Sequence, residues 1–208
     1  YCFMPIADIE SVRRQIGDLC ARTHVKGSII LSPEGINVML AGDPIEVDAV
    51  IGGVSRVLEL PADGFERKNS WSAQIPYKKL MLKVKNHIVP PGSADPLPYA
   101  TPGEFIDPRE LRELYDSGDV FTILDARNRY EYRVGAFANA QHLDIDTFAD
   151  FGERLHRLPQ ETKNHPVVIY CTGGIRCEKA ALIMRDQFGF KNVRQLRGNV
   201  DDSCPLGP

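Results

Sequence analysis

Residues 171 to 180 read CTGGIRCEKA, directly after the apolar run PVVIY (Pro166 to Tyr170) and before an alanine-rich helical pattern. A cysteine at the carboxyl end of a strand, followed by two glycines and an arginine, suits a nucleophilic thiolate. A loop that joins a strand to a helix N-terminus turns its backbone N–H groups toward its own mouth, and the helix dipole favours negative charge there. Cys171 lies at that mouth, Gly173 and Gly174 permit a tight curl, and Arg176 supplies a cation. Such surroundings lower a thiol pKa from about 8.5 and keep thiolate available at neutral pH. A structural cysteine in a glycine turn is the alternative, and it fits this combination of residues poorly.

Four residues, Thr172, Gly173, Gly174 and Ile175, separate Cys171 from Arg176. That ring is smaller than the phosphate cradle of tyrosine phosphatases and suits a sulfur atom carried on the cysteine better than a phosphoryl group. Cys177, in the first turn of the helix, either resolves a sulfenate or persulfide on Cys171 as a disulfide or simply packs the helix. No CxxC pair or His-x-His spacing accompanies Cys171, Cys177 and Cys204, so no metal site is expected.

The elements that must hold this loop follow an α/β pattern. DPRELRELYDSG reads as a helix with Asp107 as N-cap and Pro108 at its first position. VFTILDA is a buried strand ending in Asp125 and Arg127. A polar stretch to about Leu143, a helical region from Thr147 to Leu158, the VVIY strand, a helix to Gly189 and the strand NVRQL complete the series. Near-continuous apolar strands alternating with helices predict a parallel sheet covered on both faces.

The first part of the chain differs. YCFMPI reads as a strand without the basic start of a secretory signal, and a helix follows Asp8. KGSIILSPEGINVMLAG gives two strands around a turn at SPEG, Asp43 and Pro44 open a second helix, and KLMLKVKNHIV alternates with period two. The order βαββαβ is that of a ferredoxin-like α+β domain. PPGSADPLPYATPGE carries five prolines and two glycines and marks the boundary. The expected division is a ferredoxin-like domain over 1–89, a linker over 90–104, an α/β domain over 105–200 and a tail remnant over 201–208.

The 208 residues are 43% hydrophobic and 25% charged, with no apolar run long enough to span a membrane. Five cysteines, odd in number and unevenly spread, point to free thiols in a reducing cytoplasm rather than a disulfide framework. A net charge of −3 gives no bulk attraction to nucleic acid, but its distribution is uneven. Arg67 to Ala94 holds six Lys/Arg and no Asp or Glu. Lys68, Lys78, Lys79, Lys83 and Lys85, interleaved with Trp71 and Tyr77, suit phosphate contact plus base stacking. The alternative is an edge strand whose lysines block edge-to-edge pairing, with Trp71 in the core. A second basic group around the loop, including Lys179, Lys191 and Arg194, could draw in an anion or be ordinary helix-surface charge. Glu34, Gly35 and Asn37 are turn residues, or a surface that meets the loop or an RNA.

CTGGIRC, ILDARNRYEYRVGAF and NVRQLRG together resemble the rhodanese domain, in which the first cysteine of the loop, here Cys171, carries a persulfide. The resemblance also matches Asp125, Arg127, Glu131 and Gly135 to residues of that family's site; the alternative for Asp125, Arg127 and Glu131 is an ion-pair network within the protein that orients the loop. With SPEGIN and YKKLMLKVKNHIV ahead of it, the chain over roughly residues 1 to 198 is similar to rhodanese-containing hydroxylases of the tRNA wobble uridine. That resemblance implies oxygen-dependent formation of 5-hydroxyuridine, with molecular oxygen as co-substrate, no established metal or organic cofactor, and tRNA as partner. Two competing readings are a sulfurtransferase working through a Cys171 persulfide and a non-catalytic RNA-binding module. The chain departs from that family at LRGNV, where Asn199 replaces a glycine, and in DDSCPLGP, which has no helical pattern.

Overall fold

The computed structural model describes residues 1–61, 64–65, 67–92 and 103–197. The chain divides into two compact units, Tyr1–Ile88 and Val89–Pro208.

In the first unit, β1 (Cys2–Phe3), α1 (Ile9–Cys20), β2 (Lys26–Ser32), β3 (Gly35–Ala41), α2 (Pro44–Val57) and β4 (Leu80–Val84) follow one another. Asp8 accepts a hydrogen bond from Ser11 N at 2.9 Å, and Asp43 one from Ile45 N at 2.9 Å, so both expected N-caps start their helices. Gly35 must be glycine: its φ is +147°, and a Cβ there would lie 2.2 Å from the Cys2 carbonyl oxygen. Ile16 and Cys20 of α1 and Val50 and Val54 of α2 pack on Ile29, Leu31 and Ile36 in one core. Burying each large aliphatic side chain contributes about 1.5–3 kcal/mol. Strand alternation sends Ser28, Ile30, Asn37, Met39, Met81 and Lys83 to the face opposite that core.

The sheet order is β1-β3-β2-β4. β1, β3 and β2 are antiparallel neighbours, as the βαββ pattern requires. β4 departs from a doubled parallel crossover. It pairs with β2 in parallel, Ser28 opposite Met81, and so occupies the edge away from β1.

The second unit holds β5 (Glu104–Ile106), α3 (Pro108–Ser117), β6 (Thr122–Asp125), α4 (Arg129–Val134), β7 (Gln141–His142), α5 (Phe151–Arg154), β8 (Val167–Tyr170), α6 (Ile175–Leu182) and β9 (Val193–Leu196). Its sheet is parallel throughout, in the order β5-β9-β8-β6-β7. Val167 and Ile169 of β8 join a core with Phe151, Ala180, Ala181 and Met184. Val168 and Tyr170 join a separate core with Leu111 and Phe137. Both faces are therefore covered.

Several local expectations change. The single helix expected over Thr147–Leu158 is a chain of tight turns around four-residue α5, built so that Phe148 and Phe151 stack at 5.3 Å in the core. The polar stretch after Arg127 contains α4 and β7, too short to show periodicity. Val89, expected to end the first domain, lies in the core of the second unit, and the expected linker begins there too: Pro91 is buried, and Gly92 (φ +74°) approaches the Ala149 carbonyl so closely that a Cβ would clash. The linker residues 93–102, Asn199 and the tail 201–208 lie outside the described residues. Among the described residues no helix is long and apolar enough to cross a membrane.

Candidate active site

β8 delivers Cys171 to the carboxyl edge of the sheet, where open α/β sheets place their sites. Gly174 takes a positive φ of +84° and caps α6, so the chain reverses within three residues of the cysteine. Gly174 N donates to Cys171 Sγ at 3.1 Å. The Cys177 side chain and the backbone of Cys177 and Gly173 lie close enough to favour negative charge on the same sulfur.

These donors decide the charge on Cys171. The Cys177 hydrogen bond, the Arg176 charge and the amides of Cys177 and Gly173 outweigh burial and bring the Cys171 thiol down to about 5. Cys177 moves the other way: burial and its bond to the Cys171 sulfur raise it well above the ordinary range. At neutral pH the pair is a thiolate beside a thiol. Both are free and buried.

Arg176 lends its charge to Cys171 but makes its hydrogen bonds elsewhere. Its Nη1 and Nη2 donate to Glu131 at 2.6 and 2.8 Å, and Nη2 also reaches Thr172 Oγ1 at 3.1 Å. Thr172 donates to Glu131 at 2.6 Å, and Glu131 accepts from Asn128 N at 3.1 Å. One carboxylate thus starts α4, holds Thr172 and pairs with Arg176. Burial works against the Glu131 charge, but the Arg176 and Thr172 bonds prevail and hold its carboxyl at about 2. Much of the arginine's hydrogen-bonding capacity is already used, so the amide donors are left as the main cradle for a new anion.

Asp125 and Arg127 act one layer behind. Asp125 is fully buried and accepts from Arg127 N at 2.9 Å, Arg127 Nη2 at 2.6 Å and Tyr170 Oη at 2.6 Å. Arg127 Nη2 also donates to Gly135 O at 2.6 Å. The network fixes Tyr170, the residue before Cys171, and does not touch the loop itself. Tyr170 is the member that sequence reasoning missed, because it reads only as the end of an apolar run. Ile175 packs against the sheet core.

The basic residues divide. Lys78, Lys79, Lys83 and Lys85 are exposed, on or beside the edge strand β4. Trp71 is 86% exposed, which removes the alternative of a core tryptophan. Lys68 is half-buried beside a small cavity of about 100 Å³ under Phe65 and Arg67. Lys179 corrects the reading outright: it is fully buried with Cys177, Ala180 and Ala181 on an enclosed helix, so its ammonium cannot meet a phosphate. Glu34 is also buried. It accepts from Ile88 N at 2.8 Å and faces His87 Nδ1 at 3.3 Å, so it anchors the chain leaving the first unit rather than forming an open surface.

Comparison with known proteins covers both units. Residues 1–88 match the UPF0176 acylphosphatase-like domain, and residues 107–202 match the rhodanese-like domain. The tRNA uridine(34) hydroxylase of Agrobacterium fabrum is 36% identical over 200 residues, which cover 96% of this chain and 62% of that protein. The protein of the same name from Thiobacillus denitrificans is 35% identical over 209 residues, covering 96% of this chain and 82% of that one. The chain thus spans about three fifths of the length of some curated relatives and four fifths of others. Among solved structures, the rhodanese-like domain of an Anabaena protein is 26% identical with a TM-score of 0.37, covering 46% of this chain and 69% of that one. With both domains matched in one order and 35% identity across four fifths of a curated relative, the chain belongs to the tRNA uridine(34) hydroxylase family.

Proposed function

We propose that this protein hydroxylates the wobble uridine of tRNA at C5, with molecular oxygen as co-substrate and no metal or organic cofactor, in the cytoplasm. Cys171 is the reactive group, and the Gly173, Gly174 and Cys177 amides stabilise negative charge that develops beside it. Lys78, Lys79, Lys83 and Lys85 take the phosphate backbone, and Trp71 offers a face for an unstacked base. The observation that carries the reading is the family membership together with a thiolate–thiol pair at the loop cysteine.

That pair also weighs against the sulfurtransferase alternative. A persulfide on Cys171 would have the Cys177 thiol at its inner sulfur, where attack forms a disulfide and expels hydrosulfide. A thiosulfate:cyanide assay is therefore expected to show little turnover.

The direct test is nucleoside mass spectrometry of tRNA from a host lacking its own hydroxylase. Wild type should restore 5-hydroxyuridine, and Cys171→Ala should not. Failure of well-expressed wild type to restore it rejects the proposal.

A further inference from the structure

Placing one atom of O2 at a C–H bond leaves the second atom to be reduced to water, which takes two electrons. We infer that Cys171 and Cys177 supply those two electrons, so that each turnover ends with a Cys171–Cys177 disulfide that an external low-molecular-weight thiol must reopen. The inference rests on the hydroxylase reading and assigns Cys177 a part in it.

The structure brings together what such a step needs. Both cysteines are free, both are buried in one core cluster, and the Gly174 peptide touches both, its N–H donating to Cys171 Sγ at 3.1 Å and its carbonyl accepting from Cys177 N at 2.9 Å. Cys177 sits in the first turn of α6, held by its N–H bond to Gly174 O at 2.9 Å. That places its side chain in the same turn as Cys171, and a disulfide between them needs the sulfurs to close to about 2.05 Å. An added Cβ at Gly173 would meet nothing within 4 Å, so the loop has space in which to shift as the bond forms. The protonation states suit the order of events, with Cys171 the thiolate and Cys177 the proton carrier.

The balance closes. Uridine, O2, the Cys171 thiolate and the Cys177 thiol give 5-hydroxyuridine, the disulfide and hydroxide. The O–O bond and the C5–H bond break. C5–O and S–S bonds form, and the C5 hydrogen and the Cys177 proton end on the two oxygens. Each sulfur gives up one electron, and the oxygen takes both. Two molecules of external thiol then restore the pair and leave as their own disulfide.

The test uses the full chain, reduced under nitrogen and freed of reductant, then mixed with excess hydroxyuridine-free tRNA in air. The expected result is one 5-hydroxyuridine per protein, matched by one Cys171–Cys177 disulfide in peptide mapping. Adding thiol should release further turnovers, and a parallel sample without tRNA should show the disulfide only slowly. Repeated turnover without thiol, reduced cysteines after product has formed, or disulfide formation at the same rate without tRNA each overturns the inference while leaving hydroxylation standing. No product even with excess thiol overturns hydroxylation and the inference with it. Cys177→Ser is expected to lose roughly tenfold or more of thiol-driven turnover while keeping tRNA affinity and Cys171 alkylation. Full turnover by that variant would also count against the inference.

Discussion

The Cys171 loop and the basic edge of the first unit are both polar, and they are built in opposite ways. In the loop the charges have fixed partners: Glu131 takes Arg176, Thr172 and the Asn128 amide, and the Cys171 sulfur takes the Gly174 amide beside the Arg176 charge. Along β4 the lysines project into solvent from an edge strand, and Trp71 stands exposed nearby in sequence. Reaction chemistry gains from groups already in place, because no reorganisation is then needed as charge develops. Polyanion binding gains from cations that stay hydrated until they displace counterions. Changes in the loop should therefore move turnover and leave affinity alone, and changes at the edge should do the reverse.

The largest effect expected is at the cysteine. Cys171→Ala should reduce 5-hydroxyuridine formation about a thousandfold or more, with tRNA affinity by filter binding unchanged. A matching loss of affinity would break the division between the two regions. Glu131→Gln comes next, because it keeps the shape and removes the charge that holds Arg176. Leaving that guanidinium without its counter-charge should cost about 3 kcal/mol of stability, read by thermal melting, and lower turnover at saturating tRNA. The pH dependence has a definite sign. Glu131 falls from its ordinary 4.5 to about 2 on folding, so its stabilisation is complete above 4.5 and is lost as pH falls toward 2. Acid titration of the Gln variant should lack that part of the loss.

How much of this was legible depends on whether a residue's partners are near in sequence. Asp8, Asp43 and Asp107 cap helices through bonds to residues two or three positions on, and each was readable. The cysteine loop is likewise one continuous segment. Glu131 meets Arg176 across 45 positions, and only a family resemblance pointed to it. β4 carries its alternating pattern openly, but the pattern does not say which edge it joins. Lys179 was misread because a lysine on a helix is usually solvated, whereas α6 is enclosed by its neighbours. Trp71 is the reverse case: a large aromatic is usually buried, and here the exposed side chain leaves the stacking reading open and removes the core alternative.

At the basic edge, reversing Lys79, Lys83 and Lys85 to Glu should weaken tRNA binding by at least roughly tenfold at physiological salt. It should also flatten the slope of log K against log salt by about 2 if each lysine meets one phosphate of a single strand. Turnover at saturating tRNA should be untouched. An unchanged salt slope would return these lysines to the role of guarding an open strand edge.

The smallest effect sharpens the comparison most. Trp71 carries no charge, so any contribution it makes to RNA binding comes through stacking, worth about 1–3 kcal/mol per base. Trp71→Ala should then weaken affinity by roughly tenfold while the salt slope stays as in wild type. Trp71→Phe, which keeps an aromatic face, should recover most of that loss. Because the side chain is 86% exposed, its removal should shift stability by no more than about 0.5 kcal/mol. A melting temperature that drops with Trp71→Ala would make the residue part of the fold. A salt slope that changes with it would mean that Trp71 positions the lysines rather than a base. Only loss of affinity with both of those constant identifies a stacking platform, and it would separate two kinds of RNA contact within one basic surface.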